Sequence, residues 1–447
     1  MYFQLTKRID KNMENIELIG KYTKCNIFAE TVEEGVYQQI YKIINHPAFE
    51  NQKVVCMPDV HVGKSGSCGL VATIGDYVCP EHIGVDIGCS VSMMILNKKI
   101  DSCNYAEVND EIQKRIPFGY NIHDESIIDR KDFYSFLERG FNKYKKKWSE
   151  RLYNLPNKVD EKWVTKQLQR LDVSKGTFYN SLGTVGGENH FIEYDEDTEH
   201  NISAFTLHFG SRNFGVKVCK YWMKNCGQDL NKEEYRRFVN EFKSEYLKTH
   251  TDMSHFNDEL KDAFKSRQNY NDYLSGTLMD GYLCDMCFAQ LYAQYNHYTV
   301  MNIIKDIIKK YSIKVLKTIT STHNYIDLED HTLRKSAIRS YKGEEIIVPF
   351  NMRDGVAICE GLSNEEWLNS CAHGAGRKMS RNFAKSNINL KDFEDTMKDV
   401  FSTSVCEATI DESPMAYKDT DEIKRIIGNT CKIKYMLIPK INIKAHD

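Results

Sequence analysis

Proline is scarce in this sequence: 8 of the 447 residues are proline, and they do not cluster. Repeats, low-complexity tracts and Pro/Ser-rich stretches are also missing, so the sequence offers no linker at which it could be divided into domains. A run of about 18 apolar residues is absent, as is an apolar signal segment near the start. We therefore expect a folded protein that has no membrane role.

Charge and cysteine usage narrow the class of protein further. The 60 basic residues are balanced by 63 acidic ones, so a nucleic-acid partner would have to meet a local basic surface rather than an overall positive charge. The 14 cysteines are scattered along the chain, unlike the dense set of a small secreted domain. This usage favours a reducing environment, and we expect a cytoplasmic location.

Secondary-structure patterns alternate along the chain and predict the α+β class. Helices are expected at residues 101–175, 231–311 and 365–383, and strands at residues 54–95, 191–194, 203–209, 315–355 and 432–443. The candidate metal ligands described next span residues 86 to 323, so those segments must meet in space. We therefore expect a single intertwined domain over residues 1–447, with central β-sheets, surrounding helices and a helical insertion at about residues 101–175.

Five side chains of the types that bind metal ions stand beside glycines or at predicted strand ends: Asp86, Cys89, His190, His208 and His323. Carboxylate, thiolate and imidazole together suit a borderline divalent ion better than a purely hard one. Taken singly, each has a more common explanation, because a buried cysteine often acts as a small hydrophobe and a histidine often belongs to the core. Their shared setting favours a metal site.

His373 stands in a different setting, the small-residue segment HGAGR. The small residues that follow it leave room for a phosphate, and the guanidinium of Arg377 offers a fork of donors to phosphate oxygens. An imidazole in this frame could act as a nucleophile toward phosphorus. The alternative is a structural histidine in a loop before a helix. Beside a metal site the nucleophile is favoured, which indicates a nucleotide-handling metalloenzyme.

Two other patterns point more weakly to function. Cys284 and Cys287 form a CxxC pair, but its apolar, helical context favours core packing over zinc binding or redox chemistry. A set of basic residues could either contact phosphates or form a solvated helix face: Lys143, Lys145, Lys146, Lys147, Lys162, Lys166 and Arg170.

Several ordered segments together resemble the RtcB family of RNA-splicing ligases: MPDVHVGK, GVDIGC, LGTVGGENHFIE, HFGSRNFG, HNY, SCAHGAGRKMSR and DESPMAYKD. The resemblance covers most of the chain between Met57 and Lys444, whereas residues 101–175 match poorly. It implies an RtcB-like fold. It also implies an enzyme that joins RNA 2′,3′-cyclic phosphate or 3′-phosphate ends to 5′-hydroxyl ends, in RNA repair or tRNA splicing, with GTP and two Mn²⁺ ions.

The resemblance implies a role for each matching residue. Cys89 would lie between the two metal ions, and the other ligands would divide into two pairs, His208 with His323 and Asp86 with His190. His373 would attack the α-phosphate of GTP to form a histidine–GMP intermediate. Asp59 would hold the other ring nitrogen of His373 and so fix its tautomer.

The same resemblance implies the binding sites for nucleotide and RNA. Asn189 would contact the triphosphate, and Ala375 and Gly376 would also contact the nucleotide. The guanine base would lie between Phe191 and Tyr417, with its edge bound by Glu193 and Lys444. Arg212 and Arg377 would bind phosphate or RNA.

The chain also departs from the family pattern. PFNMRDG (residues 349–355) stands where many members have a Gly-Ser-Met-Gly loop near the nucleotide, which places Phe350, Asn351, Arg353 and Asp354 there. Ser336 replaces a usual glycine, and Glu188 occupies a position that is usually small. These departures are typical of a divergent bacterial-type branch. The partners expected for such a member are tRNA or rRNA fragments with broken ends and an activating or release-factor-like protein.

Two other functions remain open from the sequence. The same metal ligands could activate water in a dinuclear phosphodiesterase or phosphatase that acts on RNA ends without joining them. Alternatively, the changed loop could have abolished nucleotide binding and left a non-catalytic RNA-binding scaffold. The presence of His373 and Lys444 argues against the scaffold, and a GMP adduct on the protein would distinguish a ligase from a phosphodiesterase.

Overall fold

The computed structural model describes residues 5–10, 13–64, 66–226, 232–250, 252–267 and 272–446. Its strands are β1 (Leu5–Asp10), β2 (Met13–Ile19), β3 (Lys24–Ile27), β4 (Val54–His61), β5 (Cys68–Thr73), β6 (Tyr77–Val78), β7 (Ser90–Leu96), β8 (Phe191–Asp197), β9 (Ile202–Phe209), β10 (Leu274–Ser275), β11 (Val315–Thr322), β12 (Tyr325–Ile326), β13 (Thr332–Lys335), β14 (Ala337–Arg339), β15 (Glu345–Asn351), β16 (Gly355–Gly361), β17 (Ser370–Ala372) and β18 (Cys431–Ile443). Its helices are α1 (Glu34–Ile44), α2 (Tyr105–Arg115), α3 (Arg130–Lys147), α4 (Glu161–Arg170), α5 (Lys175–Asn180), α6 (Arg212–Asn225), α7 (Lys232–Thr249), α8 (Phe256–Arg267), α9 (Gly276–Lys309), α10 (Arg381–Asn387), α11 (Leu390–Thr396) and α12 (Thr420–Ile427).

Two large sheets organise these elements into an α+β fold, as predicted. The first sheet has the strand order β1, β2, β3, β4, β5, β13, β12, and the second has the order β11, β7, β9, β8, β18, β16, β15. The pair β3 and β4 is parallel, whereas the other neighbours in both sheets are antiparallel. Neighbouring strands such as β5 and β13, or β8 and β18, come from distant parts of the sequence, so these segments are interwoven.

The second sheet curls until its two edge strands meet. The backbone N–H of Ile347 in β15 donates a 2.9 Å hydrogen bond to Oγ of Ser321 in β11. Apolar side chains such as Val91 and Ile319 pack inside the curl. His208 stands opposite Val91 in the β7/β9 ladder, so its side chain is on the same, interior face. The curl therefore directs the side chain of His208, one of the candidate metal ligands, toward the interior.

Helix α9 is 34 residues long and is surrounded by other elements. The ring centroid of Phe133 in α3 lies 4.8 Å from that of Tyr295 in α9, and Phe214 in α6 packs at the same distance from Phe288. Since α9 has apolar side chains on several of its faces, it packs against other elements on several sides. Cys284 and Cys287 are buried in this core, as predicted. Among the described helices, none combines the length and the apolar character needed to cross a membrane.

The other helical predictions had mixed outcomes. Residues 101–175 contain α2, α3 and α4, and the carboxylate of Asp129 caps α3 by accepting hydrogen bonds from two backbone N–H groups. The expected block at residues 231–311 divides into α7, α8 and α9, while residue 231 itself lies outside the described residues.

The helix predicted at residues 365–383 is wrong. A short 3₁₀ helix, Glu365–Trp367, stops at Leu368 and Asn369, whose φ angles of 51° and 48° lie in the left-handed region. The chain then enters β17, which pairs with β14, and helix α10 begins only at Arg381. This break delivers the segment after β17, including His373, to the end of a strand.

Candidate functional site

A cavity of about 1380 Å³ brings the predicted site residues together. With the exception of Asp59, every residue to which the family resemblance assigns a role contributes to its lining: Asp86, Cys89, Asn189, His190, Phe191, Glu193, His208, Arg212, His323, His373, Ala375, Gly376, Arg377, Tyr417 and Lys444. These residues come from the turn before β7, from the ends of several strands, from the start of α6, from the loop after β17 and from the segment before α12. A cavity of this size can hold a nucleotide and part of a second substrate.

The metal-type side chains are held by the ends of neighbouring strands. The turn that carries Asp86 and Cys89 leads directly into β7, and the carbonyl oxygen of Cys89 accepts a 2.8 Å hydrogen bond from the backbone N–H of His323. Gly88 has a φ of +73°, and a Cβ atom there would lie 2.8 Å from Cα of Gln290 in α9. Only glycine therefore fits this turn at its closest approach to the core helix.

The five side chains form two groups that share Cys89. The first group is Asp86, Cys89 and His190, the second is Cys89, His208 and His323, and the potential ligand atoms within each group all lie within 4.8 Å of one another. In the first group Nε2 of His190 lies 3.0 Å from Oδ2 of Asp86 and 3.5 Å from Sγ of Cys89. In the second, the two Nε2 atoms of His208 and His323 face each other at 3.1 Å.

The protonation states of these groups fit metal binding. Burial and neighbouring imidazoles hold the pKa of His208 and of His323 well below the usual range, so both rings are neutral and have a lone pair to offer. Two facing Nε2 atoms of this kind suit a cation between them. Burial and Asp86 raise the pKa of the Cys89 thiol, which a bound divalent ion would ionise. Burial acts to raise the pKa of Asp86, but the hydrogen bond and charge of His190, together with hydrogen bonds from Cys89 and the Ser211 backbone, hold that pKa below its usual value.

His373 lies beside the second group with its ring held from behind. Its ring centroid is 4.6 Å from that of His323. The carboxylate of Asp59, which has no exposed surface, accepts a 2.6 Å hydrogen bond from Nδ1 of His373 and a 3.2 Å bond from its backbone N–H. A Cβ at Gly376 would lie 2.3 Å from the carbonyl oxygen of Asp59, so glycine is needed for this close approach. With Nδ1 as the donor, Nε2 of His373 carries the lone pair.

Beyond His373 the cavity has aromatic and charged walls. Burial raises the pKa of Glu193 to about 7, although the Asn442 amide, which donates over 2.6 Å, and the nearby Lys444 act in the opposite direction. Nζ of Lys444 lies 5.6 Å from the ring centroid of Phe191, and the guanidinium carbon of Arg377 lies 5.3 Å from that of Tyr417. Two aromatic rings, a carboxyl group and an ammonium group therefore line this part of the cavity.

A family model described as tRNA-splicing ligase RtcB matches residues 39–445. The chain belongs to the RtcB family. A relative named RNA-splicing ligase RtcB from Escherichia coli K12 is 27% identical, with 93% of this chain and 95% of that protein covered. The tRNA-splicing ligase RtcB of Nanoarchaeum equitans is 24% identical, with 94% of each chain covered. The resemblance drawn from the sequence segments is thus confirmed at the level of the family.

Glu412, in the RtcB-like segment DESPMAYKD, was not predicted as a site residue. It is buried and its carboxylate lies 3.0 Å from Nζ of Lys444 and 3.2 Å from Nη1 of Arg377, while Tyr417 donates a 2.7 Å hydrogen bond to it. Burial raises its pKa, but Lys444, Arg381 and Arg377 outweigh that effect and hold the pKa well below its usual range. An acidic residue in a matched segment was the only sequence signal.

The two arginines expected at phosphate are already bonded within the RtcB-family fold. Arg212 donates to Thr184 Oγ1 over 2.9 Å and to the carbonyl oxygen of Gly119 over 2.6 Å. Arg377 is paired with Glu412. The lysine-rich face of α3 and α4 does not line the cavity, and some of its members have partners, such as Lys147 with Glu329 at 2.5 Å.

The changed loop is only partly at the cavity. Phe350 and Asn351 line it, but Phe350 is just 3% exposed and belongs to the core between the sheets. Arg353 and Asp354, which were also expected there, lie outside the lining. They pair with each other at 2.7 Å in the turn between β15 and β16, which Asn351 closes by accepting hydrogen bonds from both backbone N–H groups. The replacement of the usual small-residue loop therefore changes the lining of the cavity mainly at Phe350 and Asn351.

Proposed function

We propose that this protein is an RNA ligase that uses GTP and two Mn²⁺ ions to join RNA 2′,3′-cyclic phosphate or 3′-phosphate ends to 5′-hydroxyl ends. The names of the relatives, RNA-splicing or tRNA-splicing ligase, support the RNA ligase class. The observation that carries the proposal is the shared position of Cys89 between two donor groups, with His373 beside one of them. Thiol, imidazole and carboxylate donors fit Mn²⁺ or a similar borderline ion.

In this proposal His373 is the nucleophile that accepts GMP. Asp59 takes the hydrogen bond from Nδ1, so the lone pair on Nε2 points away from the carboxylate and is free to attack. A bond forms between Nε2 and the α-phosphorus of GTP, the bond from that phosphorus to the bridging oxygen breaks, and pyrophosphate leaves. Bound metal ions would supply neutralising charge to the phosphoryl oxygens.

The guanine base would occupy the aromatic part of the cavity. Phe191 and Tyr417, which both line the cavity, would contact its two faces, while Glu193 and Lys444 would bind its edge. Glu412 would act as a positioning residue, because it holds both Lys444 and Tyr417 by direct bonds. Asn189, Ala375 and Gly376, which line the same cavity, would contact the phosphates.

The RNA would enter the same cavity, where Arg212 and Arg377 offer positive charge near its phosphates. We propose broken tRNA or rRNA as the substrate, in RNA repair or splicing within the cytoplasm, and an activating or release-factor-like protein as a partner. Residues 1–447 would form one ligase domain in which residues 101–175 are a helical insertion.

Incubation of the protein with Mn²⁺ and α-labelled GTP tests this function. Label should remain on the protein, be lost in acid or hydroxylamine, and map to His373. The variant His373→Ala should bind metal and take up no label. If the wild-type protein takes up no label but hydrolyses RNA ends, the ligase assignment is overturned in favour of a phosphodiesterase. If the label maps to a lysine, the role of His373 is overturned.

A further inference from the structure

The side chain of Tyr120 is largely exposed at the edge of the site. It belongs to the loop between α2 and α3, and its residue is 93% exposed, the highest value among the large hydrophobic residues described as exposed. Tyr120 nevertheless contributes to the lining of the cavity that contains His373 and the metal-type residues. Tyr120 therefore stands at the rim of this cavity.

The loop that carries Tyr120 is fixed on both sides. The guanidinium Nη2 of Arg212 donates to the carbonyl oxygens of Gly119 at 2.6 Å and Asn121 at 3.4 Å, the two residues that flank Tyr120. The carbonyl oxygen of Pro117 accepts a 2.9 Å hydrogen bond from the backbone N–H of Val185. The hydrogen bonds of this loop therefore keep the ring of Tyr120 exposed, although an aromatic side chain usually gains stability from burial.

The same arginine connects this loop to one of the metal-type groups. A Cβ atom at Gly186 would lie 2.7 Å from Nη1 of Arg212 and 2.4 Å from Nδ1 of His190. Gly186 is therefore packed against both the guanidinium that holds the Tyr120 loop and the imidazole of the Asp86, Cys89 and His190 group. Tyr120 lies at the side of the cavity where that group is found.

The other residues at this rim suit a nucleic-acid strand. Ile122 and Val85 line the cavity and are 36% and 46% exposed, and they would cover the apolar edge of a stacked ring. Lys64 lies 3.3 Å from the carboxylate of Glu188, and Arg381, which also pairs with Asp411 and Glu412, lies 3.6 Å from it. Tyr120, Lys64 and Arg381 line the same cavity, and an aromatic side chain together with cations on one surface is the combination that binds single-stranded nucleic acid, because every base offers a face for stacking.

We propose that Tyr120 stacks on a nucleobase of the RNA strand whose broken end reaches the metal-type residues. This role rests on the proposed RNA ligase function. Stacking requires the ring face and not the hydroxyl group, and it does not select one base. Tyr120 would therefore contribute affinity for a strand end of any sequence.

Steady-state ligation of a broken RNA by three variants tests the proposal. Tyr120→Ala and Tyr120→Leu should each raise KM for RNA by about 5- to 100-fold, the range expected for one stacked base, with a smaller effect on kcat. Tyr120→Phe should restore the wild-type KM, because it keeps the ring. Tyr153→Ala is the matched control, since Tyr153 is 55% exposed in the same helical region but does not line the cavity. An unchanged KM in Tyr120→Ala, or equal recovery by leucine and phenylalanine, would overturn the stacking role.

Abasic substrates locate the contact. RNAs that lack one base at each of the first three positions on either side of the break should reveal one position at which Tyr120→Ala has no further effect on KM. A penalty that persists with every abasic RNA would refute base stacking. Labelling of wild-type His373 by GTP needs no RNA and reports on the ligase function separately. Loss of that label would count against the proposed function, whereas normal labelling with an unaltered RNA KM would count against Tyr120 alone.

Discussion

Nδ1 of His373 lies 2.6 Å from Oδ2 of Asp59, whose carboxylate has no exposed surface. A carboxylate can only accept a hydrogen bond, so Nδ1 is the donor. The backbone N–H of His373 donates to the same oxygen over 3.2 Å. The two bonds fix both the rotation of the ring and its tautomer. The nitrogen that faces the cavity is consequently the one with the lone pair.

Asp59→Asn should uncouple the tautomer from the position of the ring. An amide can donate to Nδ1, which would move the ring hydrogen to Nε2 and remove the lone pair needed for attack. We expect labelling by α-labelled GTP to slow on the order of 10²-fold or more, with metal content and melting temperature measured as controls. Labelling at the wild-type rate in a folded variant would show that Asp59 does not set the tautomer.

Cys89 is the ligand whose loss should affect both metal-type groups. Cys89→Ala removes the donor that the two groups share, so the bound manganese per chain should fall to near zero and labelling by GTP should cease. His323→Ala is the matched comparison, because His323 belongs to only one group and its loss should leave about half of the metal. Metal analysis after gel filtration measures both variants. Equal metal contents in the two variants would contradict the shared position of Cys89.

The sequence was informative where a residue type is unusual for its local setting. Asp86, Cys89 and His373 stand in glycine-rich segments whose turns need glycine, as Gly88 and Gly376 show through their close contacts with the backbone. The residues contacted, Gln290 and Asp59, are distant in sequence, but both glycines also have a φ of +73°, which the local turn itself requires, so the glycine pattern of the sequence indicates these turns.

Other features depend on burial and on partners distant in sequence, which a local pattern does not contain. Glu412 lies close in sequence to Tyr417, but its importance comes from the distant Lys444 and from its own burial. The predicted helix at residues 365–383 failed because left-handed residues at 368 and 369 turn the chain into β17, whose partner β14 lies about 30 residues earlier. Tertiary pairing overrode the local helical pattern.

The donor types should also decide which metal supports labelling. Mg²⁺ prefers oxygen ligands and retains its water molecules, whereas Mn²⁺ and Co²⁺ accept imidazole and thiolate more readily. The bound metal is removed with EDTA and single ions are added back. Mn²⁺ and Co²⁺ should then restore the labelling of His373, whereas Mg²⁺ should restore it to about a tenth or less of the level reached with Mn²⁺, because the ligands favour the softer ions. Full activity with Mg²⁺ alone would argue against the proposed ligands.

Glu412→Gln should destabilise the fold and weaken GTP binding together. The change leaves Lys444, Arg377 and Arg381 without the buried negative charge they share, and removal of one partner from such a network costs about 3–5 kcal/mol. The pKa of Glu412 is lowered in the fold, so its contribution is complete above its ordinary pKa and would be lost only in strong acid. The loss of unfolding free energy should therefore be constant between pH 6 and 8. Glu407 is an exposed residue in the 3₁₀ helix that ends with Glu412 (Glu407–Glu412), and Glu407→Gln should leave the free energy of unfolding within about 0.5 kcal/mol of wild type.

Glu193 should make GTP binding depend on pH. Burial raises the pKa of its carboxyl group to about 7, so the group is mostly protonated at pH 6 and mostly ionised at pH 8. The ionised form can accept hydrogen bonds from the two N–H donors on the guanine edge, whereas adenine offers an acceptor at the matching position. KM for GTP should therefore fall by up to about tenfold between pH 6 and 8, while KM for ATP should show no such decrease.

The same shift predicts the opposite trend for the stability of the ligand-free protein. Because the folded pKa is raised, the contribution of Glu193 to stability is complete below its ordinary pKa and is lost as the pH rises through about 7. Glutamine does not titrate, so Glu193→Gln should remove the pH dependence of both KM for GTP and stability. The differences between this variant and wild type, in KM for GTP and in melting temperature, should therefore be largest at pH 8. A wild-type KM for GTP that is flat across this range, or one that keeps the same slope in Glu193→Gln, would mean that another group binds the guanine edge.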